Sequence, residues 1–395
     1  VGDTQPELAQ RRTLIQLARQ AAFLIAGWIA LFKVLPLSLS SADVSVVLCT
    51  FALAELFAAV FATGITGQKM LERLFLNWIG LCGLLPGFLY FGLLPAFQND
   101  PMAVICLLGM ALTLGMIRFC LTASHPRALT RLLADSRLIL VAFGLYFMKQ
   151  NGAFSVELLL MGSTLILVSI LAAALRLQYA ATPTARIKPK DQDVAQICAR
   201  HADLMILPFI LPPKLMLPYL VAKGVSLLLP VFINVFQKLA ASPLRLAIAG
   251  RQQALFVASA ARINLGLMLI AGGLAVAVLS AAPVLSNTAV LDYGQFREIL
   301  LWLLLAESAP AIFGATAMLM RTSGFGAVHI ILNAIAAVVL IVVSVGFVTT
   351  DPVLIAKTYA GVHFSIAAIS AVILIRQMGI WPGPTALMFR KIKLI

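Results

Sequence analysis

Charge is scarce in this sequence. Only 11% of its 395 residues are Asp, Glu, Lys or Arg, while 62% are hydrophobic, and the mean hydropathy is +1.02. Soluble domains carry about a quarter charged residues, so a soluble globular protein is excluded. Acidic residues are the scarcer sign, 15 against 29 basic. Cysteine is sparse and scattered. Cys49, Cys82, Cys106, Cys120 and Cys198 fall singly in or beside apolar runs, without CxxC or Cys/His ligand spacing, and read as packing residues. The apolar runs also lack polar alternation, which excludes a membrane β-barrel with its strands of about 10 alternating residues. A cleavable leader is not expected either. The opening "VGDTQPELAQRRTLIQLARQ" is polar for its first dozen residues, and no small-residue cleavage site follows the first apolar run.

What the sequence does contain is long apolar stretches, and a helix crossing about 30 Å of hydrocarbon needs about 20 residues. Twelve such spans are bounded by Pro, Gly or charge: 14–36, 43–65, 74–96, 101–123, 130–149, 154–176, 196–216, 217–242, 262–284, 297–320, 325–348 and 353–376. With both termini cytoplasmic, every basic residue but Lys33, Lys149, Lys214, Lys223, Arg297 and Lys357 falls on the inner side. That alternation supports an even count, because one false span would move every later loop across the bilayer. The net charge of +14 is then mostly topogenic charge facing an anionic leaflet, with no call for nucleic acid.

The expected fold is an all-α polytopic membrane protein of about twelve helices in two six-helix lobes. Residues 1–13 form a cytoplasmic N-terminal segment, 14–176 the first lobe, 177–195 a cytoplasmic linker, 196–376 the second lobe and 377–395 a basic cytoplasmic tail. A faint likeness between "SSADVSVVLCTFALAELFAAVF" and "PPKLMLPYLVAKGVSLLLPVF" suggests an internal repeat. The stretch 241–265, with Arg245, Arg251 and Arg262 among apolar residues, suits a helix lying on the inner leaflet. The tail, with Trp381, Phe389, Arg390 and Lys391, reads as a surface anchor.

Charged groups inside spans are the candidates for function, since each costs about 2.5–3.5 kcal/mol at the bilayer centre unless it faces protein or water. They are Lys33, Glu55, Arg118, Arg200, Asp203, Lys214, Lys223, Glu307, Lys357 and His363. Plainer roles stand beside functional ones. Arg118 and Lys33 are placed to snorkel to headgroups. Arg200 and Asp203, three residues apart, are spaced to pair on one helix. Glu55 and Glu307 could each sit protonated in a packed interior. His363 reads as a hydrogen-bonded interior histidine rather than a metal ligand, and no metal site is expected. Taken together, cations in several spans suit a cavity for an anionic passenger. Lys214 and Lys223, nine residues apart, would point oppositely on one unbroken helix. Only a break at Pro218, or at Pro212 and Pro213, would let them share a cavity.

Two stretches resemble a known family. "LSSADVSVVLCTFALAELFAAVFATGITGQKMLERL" (39–74) resembles the second-helix region of Wzx-type polysaccharide flippases, in the multidrug/oligosaccharidyl-lipid/polysaccharide exporter superfamily. Asp43, Gly64, Gly67 and Lys69 or Arg73 fill that motif's places. "ADLMILPFILPPKLMLPYLVAKGVSLLLPVF" resembles the family's seventh and eighth helices, with Asp203, Tyr219, Ala222 and Pro243 matching. The glycine usual before the Tyr is replaced here by Leu217 and Pro218, and polar residues 194–203 leave the seventh span short of apolar length.

The resemblance implies a V-shaped, MATE-like transporter working by alternating access in the bacterial inner membrane. It would flip an undecaprenyl-diphosphate-linked oligosaccharide for exopolysaccharide or O-antigen synthesis, with membrane lipid and a polysaccharide polymerase as candidate partners. In this reading Lys33, Arg118, Lys214 and Lys223 attract the diphosphate. Arg200 and Asp203 form a conformational pair, and Glu55 and Glu307 are candidates for coupling to Na+ or H+. No catalytic residue and no cofactor is assigned. A cation-coupled drug exporter of the same superfamily, a membrane-embedded polymerase or ligase and a purely structural membrane subunit are the alternatives. Scattered outer-loop carboxylates (Asp100, Asp292, Glu298, Asp351) argue against the enzyme.

Overall fold

The computed structural model describes residues 40–61, 101–122, 135–150, 155–179, 194–234, 253–289, 291–347 and 350–378, with scattered positions at 15–31, 132, 236–237, 244 and 250. Among these residues all regular structure is helical: α1 (Ser41–Phe61), α2 (Pro101–Thr122), α3 (Arg137–Gln150), α4 (Val156–Tyr179), α5 (Val194–Ile210), α6 (Pro213–Ser226), α7 (Gln253–Ala289), α8 (Tyr293–Ile312), α9 (Thr316–Thr322), α10 (Gly326–Phe347) and α11 (Pro352–Met378). Span three, all of span one but its scattered positions, the linker between 180 and 193, and the tail beyond 378 lie outside the described residues. So do Gly64, Gly67, Lys69, Arg73 and Pro243 of the family motifs.

Local chemistry decides where most helices start. Pro101, Pro213 and Pro352 open α2, α6 and α11, because a first-turn proline lacks only an N–H that would have no partner there. Ser40 caps α1, accepting from the Asp43 N–H at 3.2 Å and donating to its carboxylate at 2.7 Å. Ser155, Asp292 and Asp351 accept from the first-turn N–H groups of Leu158, Gly294 and Val353. These contacts satisfy donors that each helix start leaves open. Gly324, at φ +87°, closes α9 while Phe325 N–H bonds back to the Met320 carbonyl, a Schellman ending that needs a left-handed residue.

Three boundaries differ from the sequence expectation. The seventh and eighth spans divide at Leu211 and Pro212 rather than after 216, because Pro212 is extended (φ −66°, ψ 153°) and Pro213 sits at the first helical position. The expected surface helix at 241–265 is, from Gln253 on, the start of the 37-residue α7. Arg262 is exposed on α7, while Arg245 and Arg251 lie outside the described residues. The tenth span is interrupted at Phe313, Gly314 and Ala315, where Gly314 takes φ +93° and the buried Asn264 amide oxygen accepts the freed Ala315 N–H at 2.8 Å.

Six stretches among the described residues are long and apolar enough to cross a membrane: Val156–Ala173, Pro213–Asn234, Leu255–Asn287, Tyr293–Thr322, Gly326–Gly346 and Pro352–Gln377. Their outer surfaces are apolar, with Leu269 68% exposed and Leu165, Val276 and Val284 similarly bare. In water such faces would associate. Against acyl chains they are at rest, and the chain is a multi-pass membrane protein.

Helix α1 packs on α2 and α4 of its own half and also on α5 and α6 of the second. Within the second half α5 meets α10, α8 meets α6, α7 and α11, and α11 also touches α6 and α10. Helices α6, α8 and α11 thus pack on one another, and α5 joins them through α1 and α10. In the first half the least yielding close approach is at Gly27. A Cβ there would fall 2.5 Å from Leu138 Cβ and 3.4 Å from the Ile139 backbone nitrogen, atoms that cannot swing aside. Membrane helices commonly use small residues for such contacts. Gly27→Ala is expected to cost about 1–3 kcal/mol of stability, read as a lower unfolding midpoint in detergent. Gly162→Ala, whose Cβ meets only the flexible Met148 thioether, should cost less. Equal midpoints for the two variants would count against this packing.

Candidate functional site

Ionisable side chains converge where α5, α6, α8 and α11 meet. Asp203 on α5 and Lys223 on α6 are 0% and 1% exposed, and Lys223 Nζ lies 2.8 Å from Asp203 Oδ2. The same carboxylate oxygen accepts from the Tyr219 hydroxyl at 2.7 Å. Tyr219 and Lys223 are four apart on α6, so one face of that helix presents both donors to Asp203. Lys223 also donates to the Arg200 carbonyl oxygen at 3.1 Å. Its ammonium stands 3.6 Å from the centroid of the Tyr359 ring, within cation–π range.

Glu307 of α8, 4% exposed, lies between the two cations. Its Oε1 is 3.7 Å from Lys223 Nζ and its Oε2 is 3.8 Å from Arg200 Nε. The Tyr359 hydroxyl of α11 stands 2.9 Å from both Glu307 Oε1 and the Arg200 carbonyl, with one proton to share between two acceptors. One turn further along α11, His363 Nε2 lies 3.2 Å from the Ala199 carbonyl, and its ring sits 4.2 Å from that of Tyr359. Two cations thus face two carboxylates, and with all four ionised the cluster is neutral. That balance is what makes burial tolerable, because an unpaired charge here would carry its full desolvation cost. Asp203 Oδ1 alone of this group is buried without a hydrogen-bond partner.

Several expectations are redirected by this geometry. Arg200 and Asp203 do not pair with one another across their own helix turn. Arg200 faces Glu307, and Asp203 faces Lys223 and Tyr219, since the neighbouring helices bring an ammonium and a phenol closer than the local guanidinium. Lys223 is not an open cation awaiting cargo, because its charge is matched inside the protein. Lys214 is exposed and shares no cavity with it. Helix α6 runs unbroken through Pro218, and nine residues, about two and a half turns, set the two lysines on opposite sides. Arg118 is helical but its side chain, like all of Lys33, lies outside the described residues. Lys357 joins Glu298 at 2.9 Å in an exposed pair.

Glu55 takes its partner within the first half. Arg137 holds it through Nε at 2.8 Å and through a second guanidinium nitrogen at 2.7 Å. A second pair in this half joins Arg19 to Asp135, two residues before Arg137, at 2.9 Å. Among the described residues no group of three His, Cys, Asp or Glu side chains could hold a metal ion. Sequence reasoning missed Tyr359 and Arg137. Tyr359 could have been found from its spacing, one turn before His363 on a helix otherwise apolar at that depth. Arg137 was indistinguishable from topogenic charge.

The arrangement can do one thing chemically without any bound group: it locks four helices through a neutral ionic cluster whose members sit on different elements. Similar architecture is found in solved structures. The chain is similar to a multidrug resistance MATE family transporter of the MOP superfamily in an inward-facing conformation, at 12% identity, covering 95% of this chain and 96% of that one with a TM-score of 0.60. It is also similar to the MATE multidrug transporter DinF-BH, at 12% identity, 95% and 96% coverage and a TM-score of 0.50. No family model and no curated protein matches the sequence. At this identity the likeness establishes the fold, the two-lobed all-helical MATE architecture, over nearly the whole chain.

Proposed function

We propose that the chain is an alternating-access membrane transporter that flips an undecaprenyl-diphosphate-linked oligosaccharide across the bacterial inner membrane. The transporter part of this reading is supported by the MATE fold. The anionic cargo is supported by one observation above all: three carboxylates inside spans, Glu55, Asp203 and Glu307, are each held by a cation of the protein itself. A cationic drug would find them already engaged. The exposed Lys214 favours a phosphorylated passenger. The lipid and the sugar come from the resemblance of residues 39–74 and of the α5–α6 region to Wzx-type flippases.

A drug exporter is the second reading, favoured by the multidrug transporters that share the fold. One experiment separates the two. In a strain lacking the protein, lipid-linked repeat units should accumulate in the inner leaflet while susceptibility to cationic drugs stays unchanged. Complementation with Lys33→Gln/Lys214→Gln should restore export poorly, by about tenfold for each 1.4 kcal/mol of cargo attraction lost. Normal export by that variant removes both lysines from cargo binding. A drug-sensitive deletion with normal repeat-unit export overturns the flippase reading.

A further inference from the structure

The Lys223 ammonium is surrounded as a bound ion would be. A carboxylate oxygen of Asp203 at 2.8 Å, the Arg200 carbonyl at 3.1 Å, a carboxylate oxygen of Glu307 at 3.7 Å and the Tyr359 ring face at 3.6 Å enclose it. These groups come from α5, α8 and α11, all foreign to its own helix. Two anionic oxygens, a carbonyl dipole and an aromatic face form a donor set that replaces the water shell of a monovalent cation. A second observation bears on what such an ion would bind. Asp203 Oδ1 is buried and has no partner, so the carboxylate has a coordinating oxygen to spare that the single ammonium does not engage.

We propose that the Lys223 side chain is a tethered stand-in for a free monovalent cation, and that Asp203, Glu307, the Arg200 carbonyl and Tyr359 form a latent cation site that truncating Lys223 opens. The native protein then draws no free ion at this place. Separating α5 and α6 from α8 and α11 requires the contacts of Lys223 and Arg200 with Glu307 to break while Lys223 stays on Asp203, so the timing of that step belongs to the protein and its cargo rather than to an ion gradient. This holds whichever cargo the transporter carries.

The test uses full-length protein in detergent, with unfolding midpoints measured in choline, sodium, potassium and n-propylammonium chlorides at equal ionic strength. Wild type should unfold at the same midpoint in all four. Lys223→Ala should unfold earlier in choline and regain most of the loss, along a saturating curve, as sodium, potassium or n-propylammonium is added, because a ligand that binds only the folded state raises its stability by mass action. The double variant Lys223→Ala/Asp203→Asn should lose that response. Lys223→Asn, which keeps a polar side chain beside the cluster, carries the same expectation should Lys223→Ala not fold. Absence of any cation-specific recovery in the variant that folds overturns the proposal. So does a sodium- or potassium-dependent midpoint in wild type that Asp203→Asn abolishes, for a free ion would then already occupy the site.

Discussion

Asp203→Ala is expected to destabilise the folded protein by about 3–5 kcal/mol, the usual consequence of removing one partner from a buried ion pair. Tyr219 loses its acceptor and Lys223 its nearest counter-charge in a place that water does not reach, with Lys223 1% exposed and Tyr219 fully covered. The size comes from the stranded ammonium more than from the bond itself. The double variant Asp203→Ala/Lys223→Met should therefore recover much of the loss, since a buried pair can often be replaced by apolar groups of similar volume at little cost. Tyr219→Phe, which removes one donor and leaves the charges matched, should cost only about 0.5–1.5 kcal/mol. Unfolding midpoints of the four proteins in one detergent give the comparison. If the double variant is no more stable than Asp203→Ala, the pair is not the source of the effect.

Glu307→Gln carries the second large effect, and it isolates charge from shape. Glutamine keeps an oxygen for the Tyr359 hydroxyl, now 2.9 Å away, but leaves Arg200 and Lys223 opposed by Asp203 alone. The longer separations at Glu307, 3.7 and 3.8 Å, put the expected stability loss below that of Asp203→Ala, at about 1–3 kcal/mol. For the proposed transporter the larger consequence should be for export. A cluster left with one surplus charge no longer holds α8 against α5, α6 and α11, so the equilibrium between conformations shifts. A shift of about 1.4 kcal/mol already changes a rate or population tenfold, and export from a complemented strain should fall by at least about that factor. Expression at wild-type level with undiminished export would show that the Glu307 charge is not part of the transport cycle. Adding salt should not mimic the variant in wild type, because a buried cluster is screened far less than surface pairs.

In the proposed transporter the two variants also address how an ionic cluster can serve alternating access. Asp203, Arg200, Lys223, Glu307 and Tyr359 are contributed by four helices, so rotation of one pair of helices against the other opens several contacts together. Interfaces of this kind are two-state rather than gradual.

Much of the helix pattern was legible from neighbouring residues alone. Pro101 and Pro352 mark the starts of α2 and α11 within a residue or two of expectation, and Ser40 and Ser155 cap where a local hydroxyl can reach a first-turn N–H. The start of α7 was not legible. Hydropathy follows the thickness of the bilayer, whereas hydrogen bonding carries α7 back to Gln253, past the exposed Arg262. The spacing of Lys214 and Lys223 already placed them on opposite faces of any continuous helix, and continuous is what α6 is. The pairing of Arg200 with Asp203 looked sound by spacing and is not made, because i to i+3 proximity is weak competition for a buried partner on the next helix.

By itself, then, the sequence determined that this protein lives in a membrane as apolar helices, roughly where those helices run, and which positions hold costly charge. These are local properties, sums over some twenty consecutive side chains or the reach of one cap. Only the tertiary structure decided that Lys223 answers to Asp203 and Glu307, that Arg200 turns to α8, and that Tyr359 completes the enclosure. Coulomb attraction acts through space and depends on burial. Residues 104 to 156 positions apart, as Glu307 is from Asp203 and Tyr359 from Asp203, become neighbours only once packing has chosen which helix faces meet.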